Sequence, residues 1–517
     1  MKNKFFMSLA GGLLLLTGCT DLNVDVDSLY TKYPNNDIAV EAKMADVYYQ
    51  LRGCFGRRYM EAQELSSDEY TAVSYGGGWY DNGAYAHPSL HAYTKDDATI
   101  DWMGELMSGC TKANTVIRDL TNIGADEKYI ARARAMRAFF EFVMMDCWGD
   151  APIMDHIVAK DEILERSPRA KVAEFIESEL KDIIPLLTDE VSANTYGKPT
   201  KWMAEALLVK LYINWPVYTA SSVDQYDAAT AKNEKLDECI KYCDDIINSG
   251  KYKLADDWWK LFQADNAAYG DETETIFPLI NDIKSGVAGD SWMSNFLHYN
   301  QTFGNYTKLH NGYCTTPEFL ATWDPTDPRY SDDRLKSWTG FNLGFIEGLQ
   351  YHADGTPILD REGNQLNYTR DFTLTDCPDY AGVRVVKYAP NPNATSSSGS
   401  DNDVQAMRLT EAYLMRAEAK YRKGDVSGAL TDLNTIRKVR GVKEISAADF
   451  TLDKIYNERG YEFYFEGENR RQDMIRFGHF FEARTTKPNV TESYKYVFPI
   501  PQEAMEGNPN IIQNDGY

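Results

Sequence analysis

Apolar residues recur every three or four positions through much of this 517-residue chain, the spacing of helices that bury one face. The run at 126–148 has the clearest pattern, and the motif Trp148-Gly149-Asp150-Ala151-Pro152 ends it where a helix stop is expected. Its apolar face is formed by Ala131, Ala135, Ala138, Phe142 and Met145. The same pattern predicts helices at about 38–51, 99–121, 126–148, 170–186, 199–215, 232–248, 403–423, 426–440, 452–466 and 469–483.

Small and apolar residues in two of these segments have the offsets of a tetratricopeptide repeat, in which small side chains let two antiparallel helices pack closely. The first-helix part of the pattern occurs again at Trp202 and Ala206. The residues of the first match are Tyr413, Ala417, Ala429, Leu433 and Ile436. Because the repeats are degenerate and separated, we expect a mainly α fold of helical hairpins around a core, and not an open solenoid.

Two stretches lack the helical period. Residues 52–98 are predicted to be a loop, and residues 265–402 an irregular region with a mobile loop at 393–402. Asp354-Gly355 and Glu362-Gly363 indicate the turns of short hairpins, and Val383–Val386 indicates a strand. A long irregular stretch in a compact body is usually functional.

The N-terminus has the charge and length of a secretory signal. Lys2 and Lys4 precede an apolar run at 5–16 that is too short to span a membrane, and small residues then lead to Cys19. This ending is similar to a bacterial lipobox, which predicts a signal peptide at 1–18 and lipidation of Cys19; the alternative is an ordinary signal with a chance cysteine. Polar, acidic residues up to 35 predict a flexible tether.

The net charge argues against one class of ligand, and the aromatic content is compatible with another. The formal charge is −24, which has the wrong sign for binding nucleic acid. The chain contains 34 Tyr and 10 Trp, whose flat apolar faces and polar edges suit exposed stacking surfaces as well as a core.

The C-terminal third carries specific motifs. The block from Ile455 to Asp473 resembles the "ER…E…FEG…R…D" block of the RagB/SusD (starch-utilisation-system D-like) lipoproteins. The ending from Phe498 to Tyr517 is similar to their "FPIP…E…NP…QNPGY" terminus, with Asp515 in place of the usual proline. The segments 131–152 and 408–419 and the lipobox fit as well, so the resemblance covers nearly the whole chain.

This resemblance implies a lipoprotein anchored outside the outer membrane of a Bacteroidetes-type bacterium. It implies a SusC-like TonB-dependent transporter as partner, oligo- or polysaccharide as ligand, no cofactor and no catalysis. The body would comprise an N-terminal part at 36–250 and a C-terminal part at 251–517, in one compact unit. The latter would contain a ligand-binding region at 265–402, helical repeats at 403–483 and an extended terminus at 484–517.

The charged residues of the C-terminal block suit a structural role. Arg459 and Glu462 are three positions apart, and Glu466 and Arg470 four apart, so each pair can meet on a helical face. Acids placed among arginines stay ionised and are poor proton donors. We therefore predict ion pairs that stabilise the fold, and not catalysis.

A sugar offers apolar C–H faces and a rim of hydroxyls, so its site needs an exposed aromatic ring beside amides or carboxylates. Two loop regions supply these groups, one behind a run of three glycines and one in the irregular region; the family builds its pocket from loops in the same two parts of the chain. The predicted ligand-binding residues are Trp79, Tyr80, Asp81, Asn82, Trp292, Asn295, Trp338 and Tyr351. Trp102 and Trp202 lie on predicted helices and are expected in the core, and Trp323 is expected at a structural turn.

Other functions stay open. Relatives in this family take up peptides, a surface glycosidase would need only two suitably spaced carboxylates, and helical repeats often serve as interaction scaffolds. The chain lacks the H-E-x-x-H, G-x-S-x-G and G-x-x-x-x-G-K-[ST] motifs. The acidic stretch from Asp324 to Asp333 lacks the EF-hand order, so it predicts a solvated loop in preference to a calcium site, and we expect no metal.

Overall fold

The structure is a computed structural model that describes residues 36–75, 78–268, 273–282, 295–394, 401–467 and 469–517. It is mainly helical with short strands, as predicted. The principal helices are Asp37–Gly53, Met60–Leu65, Met103–Asn122, Glu127–Trp148, Arg169–Ile183, Lys201–Ile213, Leu236–Asn248, Leu409–Arg422, Val426–Val439, Leu452–Phe463 and Arg470–Phe477. None of the helices in these ranges is long and apolar enough to cross a membrane.

Consecutive helices pack as hairpins. Met103–Asn122 packs against Glu127–Trp148, and Leu409–Arg422 packs against Val426–Val439. Side-chain caps begin the second helix of each pair: Asp126 accepts from the Lys128 amide, and Asp425 accepts from the Gly428 amide. The predicted tetratricopeptide-like pairing is therefore confirmed.

The predicted core residues are buried. Ala131, Ala135 and Ala138 are fully buried in the face where neighbouring helices approach, and Trp102 and Trp202 are also inside. Trp323 is buried at the edge of the irregular region, as expected for a packing anchor.

Two predicted boundaries are wrong. The segment 52–98 is not all loop, because the first helix continues through a π-helical turn at Cys54–Tyr59 into Met60–Leu65. The helix predicted at 403–423 begins only at Leu409, because Val404–Arg408 is a strand paired antiparallel with Thr275–Leu279. That pairing joins residues about 130 positions apart, which local periodicity cannot indicate.

The last predicted helix is also shorter than expected. Instead of 469–483, it spans Arg470–Phe477 and ends at Gly478, whose φ of +90° is the left-handed conformation of a helix stop. Among the described residues beyond it, the regular elements are short: a 3₁₀ turn at Ser493–Tyr496 and the helix Gln502–Gly507.

Short strands organise the irregular region. Ser331–Asp332, Leu343–Ile346 and Arg384–Val386 form a three-stranded sheet, which confirms the strand predicted at 383–386. A second pair joins Tyr70–Ala72 to Tyr313–Thr315, and so ties the N-terminal part to the irregular region.

The predicted hairpin turns are also confirmed. At the first, the Gly355 amide donates to the His352 carbonyl. At the second, the Asp360 amide donates to the Asn364 carbonyl. Both glycines, Gly355 and Gly363, have the positive φ that such turns need.

The family block forms a buried ion network, but the predicted pairs within it are wrong. Glu462 accepts from Arg408 at 2.6 Å, from Arg440 at 2.8 Å and from Arg329 at 2.9 Å. Arg459 instead pairs with Asp473 at 2.6 Å.

The second predicted pair is replaced in the same way. Glu466 pairs with Lys387 and Arg408, each at 2.7 Å. Arg470 reaches Asp68 at 2.6 Å. The predicted structural role of these charges fits, but their partners come from distant parts of the chain.

Candidate functional site

The loop that carries Trp79 has an unusual backbone. Trp79, Asp81 and Asn82 have φ values of 60°, 40° and 56°, in the left-handed region that non-glycine residues rarely adopt. The cost, on the order of 1–3 kcal/mol, applies most to Trp79, since Asp and Asn adopt this region more readily, and such conformations gather at functional sites. Three of them within four positions mark this loop as the leading candidate.

Long-range contacts hold the Trp79 indole in place. Its Nε1–H donates to the His310 carbonyl at 2.9 Å, and its ring lies 4.9 Å from both Tyr85 and Tyr313. It also lies directly on Gly312, where an added Cβ would overlap the indole. Position 312 must therefore be glycine for the ring to lie here.

The Tyr313 phenol, which packs against the indole, is held in place by a hydrogen bond. Tyr313 is buried, and its hydroxyl donates to the buried carboxylate of Glu61. Burial, reinforced by the charge of Glu61, raises the pKa of Tyr313 well above its ordinary value. Tyr313 thus stays neutral and packs against the Trp79 ring at an interplanar angle of 55°.

The same segment brings Asn295 to Trp79. The Asn295 carbonyl accepts from the Gly312 amide at 2.6 Å, and its Oδ1 lies 2.9 Å from Nδ1 of His310. Two residues predicted from different parts of the chain thus meet at 310–312. Burial, together with the charge of Arg57, lowers the pKa of His310, so its ring is neutral at pH 7.

The other predicted residues of the first loop are open to solvent. The Tyr80 side chain is 48% exposed, and Asp81 and Asn82 are exposed beside it. They follow Trp79 in the chain and add one aromatic ring, one carboxylate and one amide, the groups that a hydroxyl-rich ligand requires.

Trp338 and Tyr351 lie in the irregular region, away from the contacts of Trp79. The Trp338 ring is half-buried and lies 5.4 Å from Phe303. Tyr351 is 40% exposed, and its carbonyl oxygen lies against Gly340. Their recorded contacts are with residues other than those around Trp79. Trp292 and Cys19 lie outside the described residues. Residues 395–400 of the loop predicted at 393–402 lie outside them as well.

Next to Trp79 the structure shows a group that the sequence did not indicate, here called the Arg361 cluster: Tyr75, His298, Tyr299, Arg361, Asp379 and Arg384. The Tyr75 hydroxyl donates to the His310 carbonyl at 3.2 Å, the same oxygen that receives the Trp79 indole. The Arg361 guanidinium lies 4.7 Å above the Tyr299 ring and 5.6 Å from that of Tyr75.

Asp379 connects this cluster. Its Oδ2 accepts from His298 Nε2 at 2.9 Å, from the Tyr299 hydroxyl at 2.7 Å and from the Arg361 amide at 3.1 Å. Burial opposes ionisation, but the hydrogen bonds from His298 and Tyr299 outweigh it and lower the pKa of Asp379. Burial lowers the pKa of His298, so this ring is neutral at pH 7.

Sequence reasoning missed the segment that joins these parts. Asn311-Gly312 is an Asn-Gly dipeptide, a recognised turn signal, and Asn311 has a φ of 54°. That signal would have marked a turn, but nothing in it points to Trp79, more than 230 positions away. Arg361 had no signal beyond its place in a predicted turn.

The structure also has two surface grooves away from these residues. One, of about 590 Å³, lies beside Asp327 and Tyr461, and the other, of about 1050 Å³, lies beside Tyr226 and Phe481. None of the predicted ligand residues lines either groove.

Comparison with known proteins identifies the family to which this architecture belongs. A family described as "SusD family" matches residues 244–517, and one described as "Starch-binding associating with outer membrane" matches residues 22–213. The chain belongs to the SusD family. The predicted RagB/SusD resemblance is therefore confirmed over both parts of the chain.

Individual proteins of the SusD family are also similar in sequence over most of their length. The chain is 26% identical over 429 residues to the starch-binding protein SusD of Bacteroides thetaiotaomicron, covering 75% of this chain and 72% of that one. A SusD-like protein of Bacteroides ovatus is 22% identical over 445 residues, covering 80% of this chain and 76% of the relative.

Solved structures confirm the SusD-like fold. A laminarin-binding SusD-like protein has a TM-score of 0.71 and 19% identity, covering 94% of this chain and all of the other. Surface glycan-binding protein A from Bacteroides thetaiotaomicron has a TM-score of 0.70 and 20% identity, covering 94% of this chain and all of the other.

Proposed function

We propose that this protein captures oligo- or polysaccharide at the cell surface, with Trp79 as its central contact. The observation that carries the proposal is the strained Trp79 loop, whose indole is fixed on Gly312 beside the exposed Tyr80, Asp81 and Asn82. Trp79 is half-buried, so only the exposed part of its ring would stack on a sugar, and the neighbouring carboxylate and amide would supply hydrogen bonds. Relatives named for starch, laminarin and surface glycans support this ligand class.

The test is affinity gel electrophoresis of the purified protein against a panel of polysaccharides, with a peptide library screened in parallel. Trp79→Ala is expected to weaken glycan retention about tenfold or more, because a few aromatic residues usually supply most of the energy of a binding site. Tyr49→Ala is the control, because Tyr49 is 59% exposed on the first helix and outside the site. Peptide binding without glycan retention would favour the peptide-capturing alternative.

We propose further that the protein acts without catalysis. In the Arg361 cluster the carboxylate of Asp379 has a lowered pKa, so it is a poor proton donor for glycosidic bonds. The acids of the family block are held by arginines in the same way. Shortened glycan chains after incubation with the purified protein would favour the glycosidase alternative instead.

We propose the cellular location and the partner protein from the sequence and from the family match. Lipidation of Cys19 would anchor the body to the outer membrane, and one matching family is described as associating with that membrane. A SusC-like TonB-dependent transporter is the proposed recipient of the ligand. Co-purification of a TonB-dependent barrel with the full-length lipoprotein tests this part. Domain boundaries at 18, 35 and 250 stay predictions.

A further inference from the structure

The Tyr299 ring is not an open stacking surface. The Arg361 guanidinium lies 4.7 Å above it, and the His298 ring has its centroid 4.0 Å away. With these neighbours, Tyr299 does not offer a free face to a sugar. Its structural effect is to hold the guanidinium in position next to the Trp79 site.

The outward side of that guanidinium is available. The Arg361 side chain is 51% exposed, and its one ion pair among the described residues is long, at 3.9 Å from Nε to Asp379 Oδ2. That oxygen is already shared by His298, by Tyr299 and by the Arg361 amide. A guanidinium offers five N–H donors, and this arrangement leaves room for an outside acceptor.

The cluster contains a second guanidinium, that of Arg384, which has no carboxylate partner in the described ranges. Arg384 is fully buried, and it donates to the carbonyls of Ala381 at 2.6 Å and Gly382 at 2.7 Å and to Asn311 Oδ1 at 2.7 Å. All these acceptors are neutral, and within the described ranges Arg384 has no ion pair. Buried charges are usually paired, because desolvation of a lone ion is costly.

The side chains of the Arg361 cluster carry both signs of charge. Arg361 and Arg384 are positive, Asp379 is negative, and His298 is neutral. Asp360 and Glu362 flank Arg361 in the chain; Asp360 is buried, and its Oδ1 accepts from the Glu362 and Asn364 amides. The exposed guanidinium of Arg361 is therefore the positive group of this cluster that a ligand can reach.

We propose that the ligand of this site is an acidic glycan, and that Arg361 binds a carboxylate or sulfate group on the sugar unit next to the one stacked on Trp79. The inference rests on the proposed glycan-binding function and specifies its ligand class. A planar guanidinium matches the oxygen pair of a carboxylate or sulfate, and such charge-assisted bonds are about twice as strong as neutral ones. Tyr75 and Tyr299 act as positioning residues for it.

The experiment uses affinity electrophoresis with matched polymers. Polygalacturonate and fully methyl-esterified pectin share a backbone and differ in free carboxylates, while dextran sulfate and dextran differ in sulfate; alginate, chondroitin sulfate, starch and laminarin widen the panel. We expect retention that depends on Trp79 to be confined to acidic members. Raising the ionic strength from about 0.1 M to 1 M should weaken it, because the screening length falls from about 10 Å to about 3 Å.

Arg361→Gln is expected to weaken retention of the acidic ligand about tenfold, with Arg361→Lys in between. Arg370→Gln is the matched control, because Arg370 is similarly exposed in the same region but bonds Glu347 through two nitrogens at 2.8 and 2.9 Å. It should bind like the unaltered protein. The carboxylate and sulfate arms of the panel identify which group is recognised.

Two outcomes overturn the idea separately from the proposed function. Trp79-dependent retention of neutral glycans only, or equal retention by Arg361→Gln and the unaltered protein, refutes the acidic ligand and leaves glycan capture standing. Absence of any Trp79-dependent retention across the panel refutes both. Thermal unfolding of each variant confirms that lost binding does not reflect lost folding.

Discussion

The buried ion network around Glu462 allows a sharp test of what holds this fold together. Glu462 is fully buried, and three guanidinium groups and the Trp258 indole at 3.1 Å donate to its carboxylate. Although burial opposes ionisation, the surrounding arginines lower the pKa of Glu462 well below its ordinary value. Glu462→Ala would leave those donors facing a cavity.

The expected cost follows from the remaining pairs. Arg408 keeps Glu274 and Arg329 keeps Asp327, so no guanidinium loses every partner. Removing one member of a buried ion pair costs about 3–5 kcal/mol. Unfolding entropy for a chain of this length is about 1 kcal/mol per kelvin, so the midpoint of thermal unfolding should fall by about 3–5 °C.

Thermal unfolding followed by circular dichroism measures this shift. Glu444→Ala is the control, because Glu444 is exposed and should change stability by less than about 0.5 kcal/mol. Glu462→Gln separates charge from volume, since it keeps the shape and removes the negative charge. If Glu462→Gln unfolds at the temperature of the unaltered protein, the network does not stabilise the fold through charge, and the reasoning fails.

Three further predictions follow from other residues. Gly312→Ala should displace the Trp79 indole and reduce glycan retention about as much as Trp79→Ala does, whereas Gly104→Ala, with open space around its Cβ, should bind normally; equal retention by both glycine variants would contradict the assigned pose. Burial raises the pKa of Glu141 to about 8, so the folded protein keeps a proton that the unfolded chain releases above about pH 4.5, and stability falls as pH rises from there toward 8. Glu141→Gln should therefore remove about 2–3 kcal/mol of the loss between pH 5 and pH 7 in urea unfolding, and an unchanged pH slope would rule this out. Cys19→Ala should give a folded, ligand-binding protein that no longer supports uptake, measured as growth on the glycan; uptake by the soluble form would show that the anchor is not needed.

Much of the helical part could be predicted because its signals are local. The spacing of Ala131, Ala135 and Ala138 indicates a buried helix face, and that face is buried. The strand at Val404–Arg408 escaped prediction because its partner at Thr275–Leu279 is remote, and the strand merges along the chain into a strong helical pattern. Local propensity cannot distinguish these outcomes when a distant segment supplies the hydrogen bonds.

For the candidate site, too, some residues could be predicted from the sequence and others could not. Trp79 and Asn295 could be selected from their residue types and neighbours, but the reason they meet is the segment at 310–312, to which both are hydrogen-bonded. Arg361 could not be selected at all. Its proposed role depends on the packing of its guanidinium against Tyr299, and that contact is not visible along the chain.

By itself, the sequence determined the family, the helical hairpins and the aromatic loop, because periodicity, turn residues and motifs act between positions close in the chain. The tertiary structure decided the partners of each charge and the setting of each ring. Glu462 meets Arg329, more than 130 positions away, and Trp79 lies on Gly312. Contacts of this kind depend on how the whole chain packs, and no local pattern encodes them.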